Sequence, residues 1–319
     1  MSAEQENPLS GHVNAELLRR PEKVLSGNSA LITGATRMNG VGFAIAERSA
    51  LEGASPIIIV GTTRSQDIAE FAQSRLKRYG GDVHALVGDV TNEESCIEMT
   101  KRAYELCEGN VNILVNNAGT NINKPLTNTT VEDWDFVNSP KTLGAFLMTR
   151  EWFKIRNHNS IKGGRVINIG SIIGEHGNFG QDAYSAANGG LLALTKAQSL
   201  TLGRREITVN LIEPGFVEGT DMTSQMPQDQ VDSVKTVSAL NELINPQGVA
   251  GAALYLAGPD GERVTGSVLK IDAGIQSNYT AAQMMHQAGY RQVPRYALGI
   301  ISDLSREEVD LIKNNRSKQ

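Results

Sequence analysis

SALITGATRMNGVGFAIA, residues 29–46, decides the fold prediction. Its first third is a short apolar run that predicts a buried strand, and its last third places apolar residues at helical spacing. The turn between them carries Gly34, Gly40 and Gly42, which let the backbone bend tightly and approach a ligand closely. Because a helix N-terminus following such a turn attracts anions, the stretch predicts the pyrophosphate site of a dinucleotide.

The same alternation of strand and helix continues to residue 274. Apolar runs such as PIIIVGT, VHALVGDV and GRVINIGS predict strands, and segments with helical periodicity separate them. Seven such strands predict an α/β fold: a single Rossmann-like doubly wound domain, with a seven-stranded parallel sheet and helices on both faces. The predicted divisions are an N-terminal arm (1–27), this domain (28–274), a substrate lid within it (224–246) and a C-terminal extension (275–319).

The bulk composition excludes several classes of protein. The chain has 319 residues, is 40% hydrophobic and 20% charged, and carries a formal net charge of −5. It can bury a sizeable core, and its acidic balance argues against a nucleic-acid partner. The N-terminus lacks an apolar signal segment and no run is long enough for a membrane helix, so a cytoplasmic location is expected. Cys96 and Cys107 are expected to be buried thiols, and the scattered histidines predict no metal site.

The residues around the glycine turn indicate which dinucleotide is bound. NAD sites usually place an acid at the end of the second strand, where it bonds the ribose 2′-hydroxyl. Here that strand ends in VGTTRS without an acid, while Arg37 and Arg64 are near enough to hold a 2′-phosphate. The predicted cofactor is therefore NADPH, with Asn116 and Gly119 of the NNAG run closing the floor of its site. The candidate cofactor-binding residues in the N-terminal half of the domain are Gly34, Thr36, Arg37, Gly40, Val41, Gly42, Thr63, Arg64, Asp89, Val90, Asn117, Ala118 and Gly119.

A serine and a tyrosine thirteen residues apart form the candidate reactive centre. Ser171 ends the run INIGS, and Tyr184 opens the run YSAAN. A free tyrosine has a pKa of about 10, and a nearby cation lowers that pKa by stabilising the phenolate. A lysine four residues later would supply the charge from the next helical turn, but that position holds Asn188. Either the positive charge beside the tyrosine is missing and the site is inactive, or another residue supplies that charge.

Taken together, these motifs resemble the short-chain dehydrogenase/reductase family. The resemblance rests on the glycine turn, GDV, NNAG, the serine–tyrosine spacing and NLIEPGFVEGT, and it covers about residues 27–274. It implies that Ser171 holds a substrate carbonyl oxygen and that Tyr184, beside the cofactor, donates the proton. It also implies that a further stretch borders the nicotinamide carboxamide, namely Pro214, Gly215, Val217 and Thr220.

The missing lysine is found on the preceding long helix, at the place of another member of the family's tetrad. That place is usually an asparagine, seven residues after a tryptophan and three before a glycine. Counting from Trp134 and from Gly144 gives the same residue, Lys141. Lysine and asparagine are thus exchanged between positions 141 and 188, so the predicted catalytic residues are Ser171, Tyr184, Lys141 and Asn188. Asn138, one turn earlier, is the alternative asparagine.

The exchange resembles the ketoreductase domains of modular polyketide synthases, which carry the same Lys, Ser, Tyr, Asn order. PKTLGAF and GQDAYSAANGGLLAL are similar to their motifs, whereas NNAG is the version of free-standing enzymes. The resemblance implies a stand-alone NADPH-dependent ketoreductase acting on a 3-ketoacyl thioester of the polyketide or fatty-acid type, with an acyl carrier protein as partner. A homodimer or homotetramer built on the long helices is also implied.

Three other functions share parts of this sequence pattern. An enoyl-thioester reductase would need a lysine about seven residues after the tyrosine, where this chain has Leu191. A carbonyl reductase of a sugar, steroid or other small ketone stays open, because only substrate tests separate it. A non-catalytic NADPH-binding regulator also stays open, although the intact Ser171 and Tyr184 argue against it.

Overall fold

Seven parallel strands form one sheet, as the alternation predicts. The computed structural model describes residues 23–62, 66–221, 223–224 and 226–276. The strands are β1 (Ala30–Thr33), β2 (Ile57–Gly61), β3 (Val83–Val87), β4 (Ile113–Asn116), β5 (Gly164–Ile169), β6 (Ile207–Pro214) and β7 (Val268–Ile271). Their order is β3-β2-β1-β4-β5-β6-β7, and every pairing is parallel. The order reverses between β1 and β4, where doubly wound folds form their ligand crevice.

Helices cover both faces of the sheet. Those in the described residues are α1 (Val41–Leu51), α2 (Gln66–Leu76), α3 (Glu93–Leu106), α4 (Val131–Asn138), α5 (Gly144–His158), α6 (Ile173–His176), α7 (Asp182–Gly203), α8 (Gln228–Val237) and α9 (Pro246–Ala257). Three-residue 3₁₀ turns follow α2, precede α4 and follow α9. This arrangement is the predicted doubly wound architecture.

Alternate residues of the central strands enter two different cores. In β1, Ile32 packs with Phe43 of α1 and Leu256 of α9. Its neighbour Leu31 joins the core on the opposite face, which includes Trp152 of α5. Because both faces are covered, the central strands are continuous apolar runs without polar alternation.

The helix that contains Pro140 changes its geometry there without ending. A capping box between Thr130 and Asp133 starts α4, and Ser139–Leu143 then forms a π turn that leads directly into α5. Proline lacks an N–H and cannot donate to the preceding α-helical turn, which accounts for a local change of geometry at this point. π turns inside helices are often found at functional sites.

Some predictions concern residues whose positions are not described, and two helices were not predicted. The arm up to residue 22, Thr63, Arg64 and the extension from residue 277 lie outside the described residues. The short helix α6 lies in a predicted loop, and α8 lies in the predicted lid. Cys96 and Cys107 are free and buried, as expected. Within the described ranges, no helix has the length and apolar character needed to cross a membrane.

Candidate active site

The predicted site residues that the structure describes lie at the carboxyl ends of the strands. The glycine turn follows β1, NNAG follows β4, Ser171 follows β5, and Pro214 ends β6. Because all strands run in one direction, loops distant in sequence converge at this edge. The backbone links them further: the N–H of Ile172 donates to Pro214 O at 3.2 Å.

The glycine turn packs against the NNAG loop without room for side chains. Gly34 has a φ of +64°, and a Cβ there would lie 2.9 Å from the Cα of Ala118. A Cβ at Gly42 would lie 2.4 Å from Nδ2 of Asn117. That amide donates to the carbonyls of Thr33 and Gly34 at 3.0 and 2.9 Å. Asn117 and Ala118 therefore fix the shape of the turn from the neighbouring strand.

The N-terminus of α1 is suited to an anionic ligand. Gly40 is its N-cap and supplies no side-chain hydrogen bond, and the first turn, which begins at Val41, contains no acidic residue. The first N–H groups of a helix need acceptors, and they carry a partial positive charge. These uncapped donors fit the pyrophosphate of a dinucleotide.

Arg37 is engaged by a carboxylate from the other side of the crevice. Its guanidinium forms an ion pair with Asp221, which follows β6. Asn39 donates to Gly219 O at 2.9 Å and to the same aspartate at 3.2 Å. The pair is exposed, and exposed ion pairs contribute only about 0–1 kcal/mol to stability. A phosphate that binds Arg37 more strongly can therefore replace Asp221 as its partner.

Three further predicted cofactor residues have partners within the protein. Thr36 is buried and lies against β2. Asp89 accepts hydrogen bonds from the N–H and hydroxyl of Thr91 at 2.8 and 2.7 Å. Val90 packs beside Gly144 of α5. These side chains shape the loops around the crevice.

Asn116 does not belong to the cofactor floor, contrary to the sequence expectation. Its side chain is buried and donates to Thr149 Oγ1 at 3.0 Å and to Asn168 Oδ1 at 2.9 Å. Asn168 in turn donates to Thr195 Oγ1 at 2.8 Å. This network joins β4 and β5 to α5 and α7, because buried amides must find partners.

Residues after β6 complete the edge of the crevice. Gly215 donates its N–H to Ile271 O at 2.9 Å, and a Cβ there would lie 3.0 Å from the Cα of Asp272. Val217 pairs with Ile244 as an isolated bridge, and the hydroxyl of Thr220 donates to Val217 O at 3.2 Å. The segment is thus fixed to the sheet and to the region of the predicted lid.

Tyr184 and Ser171 lie together at the start of α7. Tyr184 is buried in a small cluster with Val137. Burial raises the pKa of the Tyr184 phenol, while hydrogen-bonding interactions with Ser171 and Asn188 oppose that rise. Ser171 Oγ also accepts from the N–H of Ile173 at 3.3 Å. Burial keeps the phenol protonated, as a proton donor requires.

Asn188 is fully buried directly below the tyrosine. Its Nδ2 donates to the backbone carbonyl of Tyr184 at 2.8 Å, whereas its Oδ1 has no hydrogen-bond partner among the described residues. A Cβ at Gly174 of α6 would lie 2.9 Å from the Cβ of Asn188. A buried acceptor without a partner is costly, so this oxygen is available to a donor in the active site.

Lys141 is the buried cation of the site. It lies in the π turn, is 6% exposed, and its Nζ donates to Ile169 O at 3.0 Å. A Cβ at Gly119 would lie 2.6 Å from that Nζ, so the side chain runs directly over the last residue of NNAG. Burial lowers the pKa of Lys141 to about 8. Within the described structure no carboxylate pairs with this lysine.

Asn138, the alternative tetrad asparagine, holds two helices together. Its Nδ2 donates to Trp134 O at 3.0 Å and to Ala183 O at 3.3 Å, one residue before the tyrosine. The π turn contacts the same helix farther along, where Thr142 lies against Gly190. The turn that carries Lys141 is therefore anchored to the helix that carries Tyr184.

A chain of amides in front of the tyrosine was not predicted. Asn178 donates to Gln181 Oε1 at 2.9 Å, and Gln181 donates to Asn123 Oδ1 at 2.7 Å. Asn121 donates to that same oxygen at 3.1 Å. The chain joins the loop after β4 to the loop before α7. Single amides in polar loops carry no periodic signal, so only the fold brings them together.

Comparisons with known proteins show the family to which this chain belongs. The family model described as enoyl-(acyl carrier protein) reductase matches residues 34–276. The 3-oxoacyl-(acyl-carrier-protein) reductase FabG of Aquifex aeolicus (strain VF5) is 34% identical over 251 residues, which cover 79% of this chain and 98% of the relative. The chain belongs to the short-chain dehydrogenase/reductase family. FabG of Escherichia coli (strain K12) is 33% identical over 249 residues, or 78% of this chain and 97% of the relative.

Solved structures of the short-chain dehydrogenase/reductase family agree with the fold. A blue fluorescent protein from a metagenomic library, solved in complex with NADPH, is 31% identical with a TM-score of 0.72, and covers 79% of this chain and 99% of its own. A Serratia marcescens short-chain dehydrogenase/reductase variant has the same identity, TM-score and coverage. The family resemblance inferred from motifs is confirmed.

The description of the matching family model does not make this member an enoyl reductase. The position seven residues after Tyr184 is Leu191, which is fully buried in an apolar cluster with Ala145 and Leu211. No lysine can therefore act from that position.

Proposed function

We propose that this protein is an NADPH-dependent ketoreductase that converts a 3-ketoacyl thioester, carried by an acyl carrier protein, to the 3-hydroxyacyl product. The FabG relatives, matched over nearly their whole length, support the substrate class. The observation that carries the proposal is the buried Lys141, which extends over Gly119 from a turn anchored to the helix of Tyr184. An unpaired buried lysine is costly for folding, so a functional reason is needed for it.

The reaction requires a hydride and a proton. NADPH, when bound, supplies the hydride to the keto carbon. Ser171 and Tyr184 hold the carbonyl oxygen as negative charge develops on it. The phenol of Tyr184 then transfers its proton to that oxygen, which yields the alcohol.

Lys141 and Asn188 support Tyr184 in this scheme. The ammonium group favours the phenolate that proton transfer leaves behind, because opposite charges a few ångströms apart stabilise each other. It would also hold the ribose of the bound cofactor. Asn188, with its unpartnered Oδ1, accepts from Lys141 or from a water molecule that returns the proton to Tyr184.

Selection of NADPH rests on residues around the end of β2. No acid ends that strand, and Arg37 stands in the glycine turn, where a 2′-phosphate can replace Asp221 as its partner. Thr63 and Arg64 are proposed to complete this phosphate site.

The predicted lid, residues 224–246, is proposed to discriminate between acyl chains. Its helix α8 contributes Val234, which packs with Leu243 and with Ile172, the residue after Ser171. Leu240 of the same segment and Phe179 of the loop before α7 are large exposed apolar residues. An acyl chain would be covered by such side chains.

A homodimer or homotetramer is proposed from the surface of α4 and α5. Trp134, Phe136, Leu143 and Phe146 are each at least 40% exposed on these helices and the turn between them. Burial of such apolar surface is worth about 25 cal/mol per Å², which favours association. A reducing cytoplasm is the proposed compartment, because Cys96 and Cys107 are free thiols.

The test is NADPH oxidation with a short 3-ketoacyl thioester, presented on an acyl carrier protein and, separately, on its pantetheine arm. The native chain should turn over, and Lys141→Ala and Tyr184→Phe should lose activity while still binding NADPH. Turnover of small ketones but not of thioesters would favour a general carbonyl reductase. Binding of NADPH with no turnover of either class would favour a regulator.

A double exchange tests the tetrad itself. Lys141→Asn should be inactive, and adding Asn188→Lys should recover part of the activity, because that pair restores the family's usual arrangement. If the single Lys141→Asn variant keeps full activity, the positive charge has another source and the tetrad assignment is wrong.

A further inference from the structure

A cavity of about 440 Å³ lies at the opposite edge of the sheet from the active site. Its walls come from the segment before β1, the residue before β4, the start of β5, and the end of α9 with the turn after it. These are the amino ends of the strands, whereas Ser171 and Pro214 follow the carboxyl ends. The two sites are therefore separated by the length of the strands. The residues used below are Asn112, Arg156, Gly164, Arg165 and Glu262.

Two guanidinium groups give this cavity a positive charge, and neither forms an ion pair with a carboxylate among the described residues. Arg156 is 1% exposed and donates to Asn110 Oδ1 at 2.9 Å, to Val111 O at 2.6 Å and to Gly163 O. These acceptors are uncharged. Among the described residues, no carboxylate oxygen lies within 4 Å of Arg156 or Arg165. Burial lowers the pKa of both groups, which reflects the cost of holding unpaired charge away from water.

The Nε–Nη2 edge of Arg165 has no hydrogen-bond partner among the described residues. Its Nη1 donates to Gly164 O at 3.2 Å, while its buried Nε has no partner and no described residue accepts from its Nη2. The Nε and Nη2 donors lie parallel on one side of the planar group, which matches two oxygens of a phosphate or carboxylate.

Asn112 adds an uncharged donor to the same cavity. Its Oδ1 accepts from the N–H and the hydroxyl of Ser29, both at 3.0 Å. That arrangement fixes the orientation of the amide and leaves Nδ2 without an acceptor in the described part of the chain. The cavity thus combines a bidentate cation, an amide donor and a second buried cation.

We propose that this cavity is a binding site for a phosphate-type oxyanion, held by the Nε–Nη2 edge of Arg165 and by Asn112 in the field of Arg156. An oxyanion supplies the negative charge and the acceptors that these groups lack. The site is separate from the dinucleotide crevice, so the anion is a ligand additional to cofactor and substrate.

Glu262 opposes anion binding and offers a matched test. It lines the cavity but pairs with Arg263 at 3.2 Å and lies more than 4 Å from Arg165. The negative charge of Glu262 makes the electrostatic potential of the cavity less positive, but its carboxylate does not occupy the anion site. Removing that charge should strengthen anion binding, whereas removing the charge of Arg165 should abolish it.

The experiment measures inorganic phosphate binding by calorimetry to the full chain saturated with NADPH, so that the cofactor site is occupied. Arg165→Gln should weaken phosphate binding by roughly tenfold to a hundredfold, the range expected for lost charge-assisted hydrogen bonds. Arg165→Lys should also weaken it, because the charge remains but the fork is lost. Glu262→Gln should tighten it, and Arg102→Gln, on the exposed face of α3, should not change it.

Ketoreductase activity without added phosphate should be unchanged in all four variants, which shows that they are folded. Equal phosphate affinity in the native chain and Arg165→Gln would overturn the proposal. So would a response reproduced by sodium chloride at equal ionic strength, or binding of acetate without binding of phosphate.

Discussion

Lys141 carries its charge in a buried place, with only 6% of its surface exposed. Lysine side chains are rarely buried, and this one has a single hydrogen bond, to Ile169 O, and a pKa lowered to about 8 by burial. Its ammonium group is therefore charged at neutral pH and loses its proton under mildly alkaline conditions. A surface lysine would titrate more than two pH units higher.

The pH dependence of reduction should report this residue. As pH rises through about 8, Lys141 becomes neutral and kcat/KM should fall, while Tyr184, whose pKa is raised, stays protonated. Lys141→Met should lower kcat/KM by about 100-fold or more at pH 7 and remove this alkaline limb. The measurement is kcat/KM from pH 6 to 10, with Lys101→Met on exposed α3 as the control. An unchanged alkaline limb in Lys141→Met would assign it to another group.

Gly119 should be needed for the position of that lysine. In Gly119→Ala the new Cβ would fall 2.6 Å from Nζ, so the flexible lysine end must move while the backbone stays. Because small displacements of a catalytic group can cost about 100-fold, kcat/KM should fall strongly with little change in Tm. Gly203→Ala is the control, since a Cβ there meets nothing within 4 Å. Equal losses in both variants would contradict this role.

Site residues that stand at a fixed distance from a motif could be predicted from the sequence. Contacts between residues far apart in the chain could not. Ser171, Tyr184 and Lys141 were placed by counting from neighbouring motifs, and their roles stay predictions. The packing of Gly119 on Lys141 and the pairing of Arg37 with Asp221, 184 residues apart, could not be predicted in this way. Asn116 was misassigned because it belongs to the NNAG motif, whereas its side chain is held inside the fold by Thr149 and Asn168.

Strand β6 carries an unusual buried acid. Glu213 is fully buried, and neither carboxylate oxygen has a hydrogen-bond partner in the described structure. Burial and the nearby Glu175 raise its pKa to about 7, against the opposing influence of Lys270 and Lys196. Glu175 itself pairs with Lys270 at 2.5 Å.

Glu213 should make the stability of the protein fall as pH rises. Because its pKa is raised in the folded state, the folded chain binds the extra proton, and the stability it contributes below about pH 4.5 is lost as pH passes through 7. The full effect is up to about 3 kcal/mol. Glu213→Gln should therefore gain stability relative to the native chain at pH 8 but not at pH 5 in urea unfolding. Exposed Glu98→Gln should show no such difference, and a pH-independent effect of Glu213→Gln would contradict the assignment.

Elements with long apolar runs or clear helical periods were predicted well, and short ones were not. Strands such as Ile57–Gly61 are buried along their whole length, so their pattern is unmistakable. Helix α6 is a single turn and too short to show a helical period, whereas α8 does have a helical period but lies in a polar segment that was predicted only as a lid. Pro140 indicated a local disturbance, but the π turn depends on contacts with α7 that the sequence does not display.

For the molecule as a whole, strand alternation was enough to predict a parallel sheet, because parallel strands need helical crossovers. The two ends of this sheet have different chemistry. The carboxyl ends bring together the glycine turn, the tyrosine and the buried lysine, while the amino ends surround the cavity of Arg156 and Arg165. That second grouping was not predicted, since its arginines are far from any recognisable motif.

The assembly state should depend on the exposed face of α4 and α5. Phe146, which Arg150 covers at 5.4 Å, lies at its centre between Leu143 and the rest of α5. Phe146→Lys should shift light scattering from the oligomer to the monomer, because a buried positive charge beside Arg150 has no partner on this face and opposes association. Phe71→Lys, on exposed α2, should leave the mass unchanged. A native chain that is monomeric at micromolar concentration would contradict the proposed oligomer.

A π turn contains one residue more than the α-helical turn it replaces. Loss of a single codon from the segment Ser139–Leu143 would restore α-helical geometry and rotate the preceding helix by about 100° relative to the following one. Ser171, Tyr184 and Asn188 would all remain, yet the lysine would no longer extend over Gly119. If the lost codon is not that of Lys141, all four predicted tetrad side chains remain, so such a deletion would inactivate the proposed enzyme through the geometry of this turn alone, and insertion of one residue at the same point would restore it.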